Sequence, residues 1–332
     1  MKTISLRDIA CPVCRSALHE EVYAYRQAVH LDGQAWLWPA RQVVCRDCGM
    51  VFTNPQPVRQ ALERFYSSYL LYGGVTGDRR MRENQLDFIE RSAGRRLLRW
   101  FDIGANDGAF LSFAKGRGCQ VDGIEPSAEA IGVAYEKYGL RLRKGFFDQP
   151  FVDTLRERFD LVSLNHVLEH VPDPLSILSL ARQILADRGV LYVEVPDLER
   201  PNAANIADFF TVEHLMYFTA TTLECLAQQA GLEVVACEAS TEKPAIRVLL
   251  EAVTDPKPDA TSNAFLKNRR IVGNYAKNDR HLYLPGKIGS QVLTAVSCST
   301  GPDCILPSSC FPGCLMALGW SGLSIRTAAN GA

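Results

Sequence analysis

The sequence predicts an α/β protein with a doubly wound parallel sheet, preceded by a small module that contains paired cysteines. Strand-like and helix-like runs alternate over residues 76–240, and a glycine turn joins the first of these strands to a helix. Alternation of this kind is typical of a parallel sheet covered by helices on both faces. We therefore expect a cysteine module over residues 1–75, a sheet domain over 76–240, and an incomplete C-terminal region over 241–332.

Composition narrows the possible partners. The 332 residues are 47% apolar and 22% charged, with a net charge of −1, which is ordinary for a globular protein of two or three units. So small a net charge favours neither nucleic acid nor an anionic membrane as a partner. The first ten residues lack the apolar core of a signal peptide, and no apolar run reaches the roughly 18 residues of a membrane span. We expect a cytoplasmic protein.

Four cysteines near the start form two CxxC pairs with thirty residues between them: Cys11 and Cys14, then Cys45 and Cys48. Without a readable export signal, such pairs indicate metal ligands rather than disulfides. Four thiolates can surround a tetrahedral Zn2+, and a site closed in this way has no free coordination position. The spacing predicts one structural zinc ion, with free structural thiols or a redox dithiol as the alternatives.

The alternating region can be divided into individual elements. Predicted strands cover residues 96–103, 119–124, 140–147, 159–164, 189–195 and 232–237. Predicted helices cover residues 108–115, 127–138, 175–185, and a last segment that begins at a capping box of Thr221 and Glu224 and ends at Gly231. Ligands of doubly wound sheets bind at the carboxyl ends of the strands, so candidate site residues are sought there.

A carboxylate and two glycines mark the turn after the first strand. Gly104 and Gly108 allow the main chain to approach a ligand closely, and Asp102 can orient a cationic group. Glu125 follows Gly104 by 21 positions and closes the second strand, where it can accept both hydroxyls of a ribose. Asn106 replaces the middle glycine of the nicotinamide fingerprint GxGxxG, which favours a nucleoside ligand without a pyrophosphate.

The DxGxxxG turn, together with the run FDLV…VLEHVPDP over residues 159–174, resembles class I S-adenosylmethionine (SAM)-dependent methyltransferases. This resemblance implies a Rossmann-like methyltransferase domain with SAM as its cofactor. Asp148 is similar to the acid that holds the adenine amino group in that family, and His166 is expected to line the cofactor edge or, alternatively, to act as a base. The predicted cofactor-binding residues are Asp102, Gly104, Asn106, Gly108, Glu125, Asp148, Asn165 and His166.

Adjacent Glu213 and His214 lie among aromatic residues and are the candidate catalytic pair. Imidazole titrates near neutrality and a carboxylate beside it raises its basicity, although such a pair equally fits a contact that tethers a loop. The order CxxC…CxxC, GxNDG, VLEHVPDP and EHLxYF resembles the zinc-containing C-methyltransferases of deoxysugar nucleotides. In that family the histidine is proposed to take the proton next to a ketone, which implies this role for His214. A tyrosine of the family motif is replaced by Thr211 here.

The leading functional hypothesis is methyl transfer to carbon of a keto-deoxysugar nucleotide through an enolate. One alternative is an O-methyltransferase acting on a glycan or small metabolite, and another is an inactive methyltransferase-like protein whose zinc module binds a partner. Beyond about residue 285 charges are few and four further cysteines occur without a histidine among them, so this tail is predicted to be poorly ordered.

Overall fold

A seven-stranded sheet forms the centre of the computed structural model, which describes residues 2–31, 34–67, 79–200, 209–254 and 264–278. All of these residues belong to one structural unit. The strands of the sheet are β7 (Arg99–Ile103), β8 (Gln120–Glu125), β9 (Arg143–Lys144), β10 (Phe159–Asn165), β11 (Leu185–Pro196), β13 (Leu232–Ala239) and β14 (Ala245–Ala252). Their order is β13-β14-β11-β10-β7-β8-β9, in which β14 pairs antiparallel with both β13 and β11 and all other pairings are parallel.

The central strands carry apolar runs because helices cover them on both sides. Fully buried members of these runs are Phe101, Leu161, Val162, Leu191 and Val193. The helices that follow the first strands are α3 (Ala109–Gly116), α4 (Ala128–Tyr138), α5 (Gln149–Val152), a 3-10 turn (Leu168–His170), and α6 (Pro174–Gln183). The predicted α/β fold is thus confirmed. The sheet also continues past residue 240, where the sequence predicted the domain to end, because β14 pairs with both β11 and β13.

Two predicted elements differ from the structure. The strand expected over residues 140–147 shrinks to the two residues of β9, since this edge strand pairs on one side only, with β8. The predicted capping box was wrong by two positions. Thr219 and Thr222 form it, each hydroxyl accepting from the other residue's backbone N–H, and α7 (Ala220–Gln229) therefore begins and ends before the predicted helix.

A second sheet is built mostly from the N-terminal residues. The N-terminal elements are β1 (Lys2–Thr3), β2 (Leu6–Arg7), β3 (His19–Leu31), β4 (Gln34–Cys45), β5 (Val51–Thr53), β6 (Gln56–Pro57), α1 (Arg59–Ser67) and α2 (Arg79–Ala93). Strands β3 and β4 form a long hairpin, and β5 pairs with β4. The outer strand is β12 (Met216–Tyr217), which comes from far along the chain and pairs with β5.

The last described helix, α8 (Phe265–Asn278), packs against the β3–β4 hairpin. The Asn268 side-chain amide donates to the Gly49 carbonyl at 2.8 Å, so this helix contacts the second CxxC turn directly. No helix in the described part of the chain is long and apolar enough to span a membrane. The tail from about residue 285, with its predicted disorder and four cysteines, lies outside the described residues.

Candidate functional site

A cavity of about 820 Å³ opens at the carboxyl ends of β7, β8 and β10. This is the size of a site for a small molecule or cofactor. Five of the predicted cofactor-binding residues line it, namely Gly104, Asn106, Glu125, Asp148 and His166. Helix α1 contributes the opposite wall through Arg59, Leu62, Glu63 and Tyr66. The N-terminal module therefore forms part of the same cavity as the central sheet.

The turn after β7 requires its glycines. Gly104 has φ +71°, and a Cβ there would lie 2.6 Å from Val167 Cγ2. Gly108 has φ +74°, and its Cβ would lie 2.9 Å from Leu140 Cδ1, so this residue lets α3 approach its neighbours. Both backbone conformations are strained for other residues. The turn thus brings main chain, rather than side chain, to the cavity wall.

Glu125 organises this turn from the end of β8. Its Oε2 accepts from the Asn106 N–H at 3.0 Å, and its Oε1 accepts from the Ser127 N–H at 2.9 Å. Burial raises the pKa of the Glu125 carboxyl, and the two backbone hydrogen bonds oppose that shift. The carboxyl group is held at the cavity wall in one orientation, as recognition of paired hydroxyls requires.

Asp102, Gly108 and Asn165 are not among the described lining residues of the cavity. Asp102 is buried behind the turn, where the Ser163 hydroxyl donates to its Oδ1. Burial raises the pKa of Asp102 to about 7, against the lowering effects of Ser163 and the Arg82 charge. Asn165 accepts from the Gln85 amide of α2 at 3.2 Å. These residues therefore lie behind the cavity wall rather than on its surface.

His166 is fixed by two carboxylates. Its Nδ1 lies 3.0 Å from Glu169 Oε1 and its Nε2 lies 3.1 Å from Glu194 Oε1. Burial and the Lys243 charge lower the pKa of His166, but the two carboxylates outweigh them and the net shift is upward. With both ring nitrogens engaged, His166 is a rigid wall residue. Glu194 was not among the predicted site residues, although it is a fully buried acid within the apolar residues 189–195 of β11, which was a signal for it.

Glu213 and His214 are absent from the described lining residues, but they adjoin His170, which does line the cavity. The rings of His170 and His214 meet edge to face, with centroids 4.8 Å apart. His170 Nδ1 also lies 3.0 Å from the main-chain carbonyl of Glu213, and the Tyr66 hydroxyl donates to the same carbonyl at 3.4 Å. The candidate catalytic pair therefore lies just behind the cavity wall.

Burial lowers the pKa of His214 to about 3, and the neighbouring His170 charge acts in the same direction. Its Nδ1 is buried and has no hydrogen-bond partner among the residues that the structure describes. Burial would raise the pKa of Glu169, but the hydrogen bond with His166 and the nearby histidine charges hold it at about 2. The His214 imidazole is therefore uncharged but less basic than the sequence predicted, because burial outweighs the opposing effect of the ionised Glu169 carboxylate.

These same residues also offer a possible metal site. One ligand atom from each of Glu169, His170 and His214 lies within 4.8 Å of the others. Imidazole and carboxylate donors suit several divalent ions. The cluster can thus act either through its imidazoles alone or around a cation.

The predicted grouping of the four N-terminal cysteines is confirmed. The Cys11 and Cys48 sulfurs are 3.5 Å apart, those of Cys14 and Cys45 are 3.4 Å apart, and all four lie within 4.8 Å of one another. Zinc–thiolate bonds of about 2.3 Å in a tetrahedron correspond to sulfur separations of about 3.8 Å. Gly49, at φ +73°, gives the second pair the tight turn that brings its sulfurs inward. This donor set fits one tetrahedral ion.

Comparison with known proteins confirms the methyltransferase prediction for the central part of the chain. Residues 77–237 match a protein family described as a methyltransferase domain. The chain is 26% identical over 213 residues to the C-methyltransferase NovU of Streptomyces niveus, covering 61% of this chain and 49% of that protein. It is 32% identical over 120 residues to a ubiquinone biosynthesis O-methyltransferase of Actinobacillus pleuropneumoniae serotype 7 (strain AP76), covering 32% of this chain and 50% of the relative.

Among solved structures, the chain resembles CalS10, an amino pentose methyltransferase from Micromonospora echinaspora. The identity is 19% and the TM-score 0.41, over 51% of this chain and 91% of that chain. The chain spans about half the length of the two curated relatives named above.

Proposed function

We propose, on the premise that residues 77–237 form a SAM-dependent methyltransferase domain, that this chain methylates carbon in a keto-deoxysugar nucleotide. The observation that carries the proposal is the position of the His214 imidazole, whose ring contacts that of His170, a residue of the cavity wall. The same cavity is also lined by five of the predicted cofactor-binding residues. A base and a methyl donor can therefore act on one acceptor.

On the donor side, bound SAM would supply an electrophilic methyl group on its sulfonium. Glu125, held by two backbone N–H groups, would accept the ribose hydroxyls. Asp148 lines the cavity and also caps α5 by accepting from the Phe151 N–H at 3.1 Å. Its second oxygen would then accept from the adenine amino group. Gly104 and Asn106 would present main chain to the nucleoside.

On the acceptor side, His214 would remove the proton on the carbon next to the ketone. The electron pair of the broken C–H bond would pass to the ketone oxygen as an enolate. The enolate carbon would then take the methyl group in line, while the bond from that methyl to the sulfonium sulfur breaks and its electron pair stays on the sulfur as a neutral thioether. Ionised Glu169 lies close enough to stabilise the imidazolium that forms, because Coulomb attraction is strong in a buried site. The aromatic surroundings of His214, including Tyr217 at a 6.0 Å ring separation, would shield the enolate from water.

The four-cysteine site is proposed to hold structural Zn2+. Its sulfur separations suit a tetrahedral ion, and a closed site of four thiolates leaves no position for a substrate. Cys45 already favours the charged form, because hydrogen bonds from the Cys11 and Cys48 thiols lower the pKa of its thiol. A thiolate is the form that binds metal.

Transfer to oxygen is the second candidate function. It is favoured by the Glu169–His170–His214 cluster, since a divalent ion bound there would activate a hydroxyl group. The O-methyltransferase relative adds support, although its match covers 32% of the chain while the match to the C-methyltransferase covers 61%. The third hypothesis, an inactive protein, predicts no turnover on either type of acceptor.

Deuterium exchange separates these functions. The enzyme is incubated in D2O with a nucleoside diphosphate 4-keto-6-deoxyhexose and no SAM, and wash-in at the α-carbon is followed by mass spectrometry. We expect exchange with the natural enzyme and a roughly 100-fold or greater loss in His214→Asn, because a positioned base contributes about this much. SAM affinity, measured by calorimetry, should be unchanged in the variant.

If His214→Asn exchanges the α-proton as fast as the natural enzyme, His214 is not the base. Methylation on oxygen, or activity that disappears when a chelator removes only loosely held metal, would favour the second candidate instead.

A further inference from the structure

Residues 211–217, which we call the acceptor segment, carry Glu213 and His214. They are hydrogen-bonded mainly to the N-terminal sheet. The segment's strand β12 extends that sheet by pairing with β5. The Leu215 carbonyl accepts from the Thr53 N–H at 2.9 Å, and the Val212 N–H donates to Gln27 Oε1 at 3.3 Å. The module that holds the four cysteines therefore also holds the candidate base.

Thr53 makes the most direct of these contacts. Its side chain is fully buried, and Oγ1 lies 3.1 Å from the His214 carbonyl and 3.2 Å from Gln42 Oε1. One hydroxyl proton is thus shared between the two acceptors. Through the hydroxyl and its own N–H, Thr53 contacts two successive carbonyls of the acceptor segment, those of His214 and Leu215.

Gln42 supports Thr53 from β4 and is itself fully buried. Its Nε2 lies 3.5 Å from the hydroxyls of both Tyr25 and Tyr217. Tyr217 in turn donates to the Thr211 carbonyl at 3.0 Å. A buried network of polar side chains is thus formed by Gln42, Thr53 and Tyr217. It holds the acceptor segment at Thr211, at His214 and at Tyr217 itself.

The opposite edge of the segment contacts the 3-10 turn behind the cavity wall. The Leu215 N–H donates to the Glu169 carbonyl at 2.8 Å, in the 3-10 turn that also supplies His170. Leu215 is consequently held from both sides, by its carbonyl from the cysteine module and by its N–H from the methyltransferase domain. A displacement of Thr53 would pass to the main chain of His214 with little loss.

We propose that Thr53, supported by Gln42, is a positioning residue that sets the His214 imidazole against His170 and the cavity. The proposal rests on the proposed function for the catalytic meaning of His214. Buried polar side chains are costly unless every group is paired, so apolar residues would fill these interior positions more cheaply. The hydroxyl and amide here are paired, and their contacts converge on the acceptor segment.

The test compares Thr53→Val, which keeps the shape but loses the hydroxyl, with Thr53→Ser, which keeps the hydroxyl. Hydrogen–deuterium exchange of the backbone is followed by mass spectrometry in peptides covering residues 211–218. We expect roughly five- to tenfold faster exchange in Thr53→Val, the change that corresponds to one net hydrogen bond. Thr53→Ser should stay within about twofold of the natural protein.

Equal exchange in all three proteins would overturn the proposal. So would a Thr53→Ser variant as fast as Thr53→Val, or an equal increase in peptides of β10 and β11, which would indicate general destabilisation. SAM affinity and metal content are measured on the same samples, and both should be unchanged.

The wash-in reaction with the nucleoside diphosphate 4-keto-6-deoxyhexose gives a second readout. Thr53→Val should lower its kcat at least tenfold, and Thr53→Ser should restore it. If the natural enzyme itself exchanges no proton, the proposed acceptor is rejected, while the backbone exchange at residues 211–218 still decides the positioning role.

Discussion

The donor side and the acceptor side of the cavity are built in different ways. The donor side comes from consecutive strand ends, in which Gly104, Glu125 and His166 lie on neighbouring parallel strands or just beyond them. The acceptor side joins segments far apart in sequence, since Thr53 binds the carbonyl of His214 and Tyr66 binds that of Glu213. Under the proposed function, donor binding would depend on local turns, and acceptor chemistry would depend on docking between two sheets.

This difference makes the two functions separable. Changes in the cysteine module should displace His214 and leave SAM affinity unchanged. Changes at the turn after β7 should weaken SAM binding and leave the position of His214 unchanged. Three experiments test that separation, in decreasing order of expected effect.

The cysteine site offers the largest effect. Replacing both Cys11 and Cys48 by Ser should abolish the binding of one Zn2+ per chain and destabilise the N-terminal module by several kcal/mol, because metal binding supplies much of the folding free energy of such modules. Elemental analysis measures the metal, and backbone exchange at residues 211–218 should rise with its loss. SAM affinity, measured by calorimetry, should fall less than tenfold.

Cys237→Ser is the matched control, because this cysteine is exposed on β13 and remote from the cluster in sequence. Natural protein without zinc in its folded state would reject the metal assignment. If SAM binding falls in proportion to the metal content, the donor side of the cavity is not independent of the cysteine module.

Asp102 should make stability depend on pH. Its pKa is about 7 in the folded protein and 3.8 for the free group, so the folded state retains a proton that the unfolded state releases. Stability is then highest below about pH 4 for this group and falls as pH rises towards 7, by about 3–4 kcal/mol in the absence of ligand. Asp102→Asn should remove most of this fall, as urea unfolding at pH 5 and pH 8 can measure.

Asp87→Asn serves as a surface control for this experiment, because the Asp87 side chain is 57% exposed. An Asp102→Asn variant with the same pH dependence as the natural protein would mean that the buried carboxyl is already ionised at pH 5.

Glu125 gives the smallest of the three effects. Glu125→Ala should weaken SAM binding by about 1.5–3 kcal/mol, the range for charge-assisted hydrogen bonds. Glu129→Ala removes an exposed acid four residues away on α4 and should leave affinity unchanged. Unchanged affinity in Glu125→Ala, or tighter binding of NADH than of SAM, would reject the cofactor assignment.

Sequence patterns predicted residues of the cavity wall at the strand ends better than the contacts behind that wall, for a physical reason. The glycine turn and the CxxC pairs are local, so spacing alone indicates which atoms converge. Even there, spacing did not distinguish residues that line the cavity from residues buried behind it, since Asp102 and Asn165 lie behind the cavity wall. The capping box was misplaced because two threonines, Thr219 and Thr222, form it without the expected acid.

The pairing of β12 with β5 had no sequence signal. Each strand contributes only two residues to the pairing, too few for a periodic pattern. Thr53 and Gln42 resemble ordinary polar residues of a strand until the fold buries them. Their importance depends on a segment about 160 residues later in the chain, as the contact between Thr53 and His214 shows.

The position of β12 also bears on how this protein can be divided into fragments. A piece ending at residue 67 would contain all four cysteines, yet it would lack Met216 and Tyr217, the partners of Phe52 and Val51. The backbone N–H and C=O groups along that side of β5 would then be unpaired and could bind a strand of another chain, which is how sheet edges promote aggregation. The cysteine module is therefore one unit in space but two pieces in sequence, and we expect the edge of β5 to stay unpaired until β12 has been synthesised.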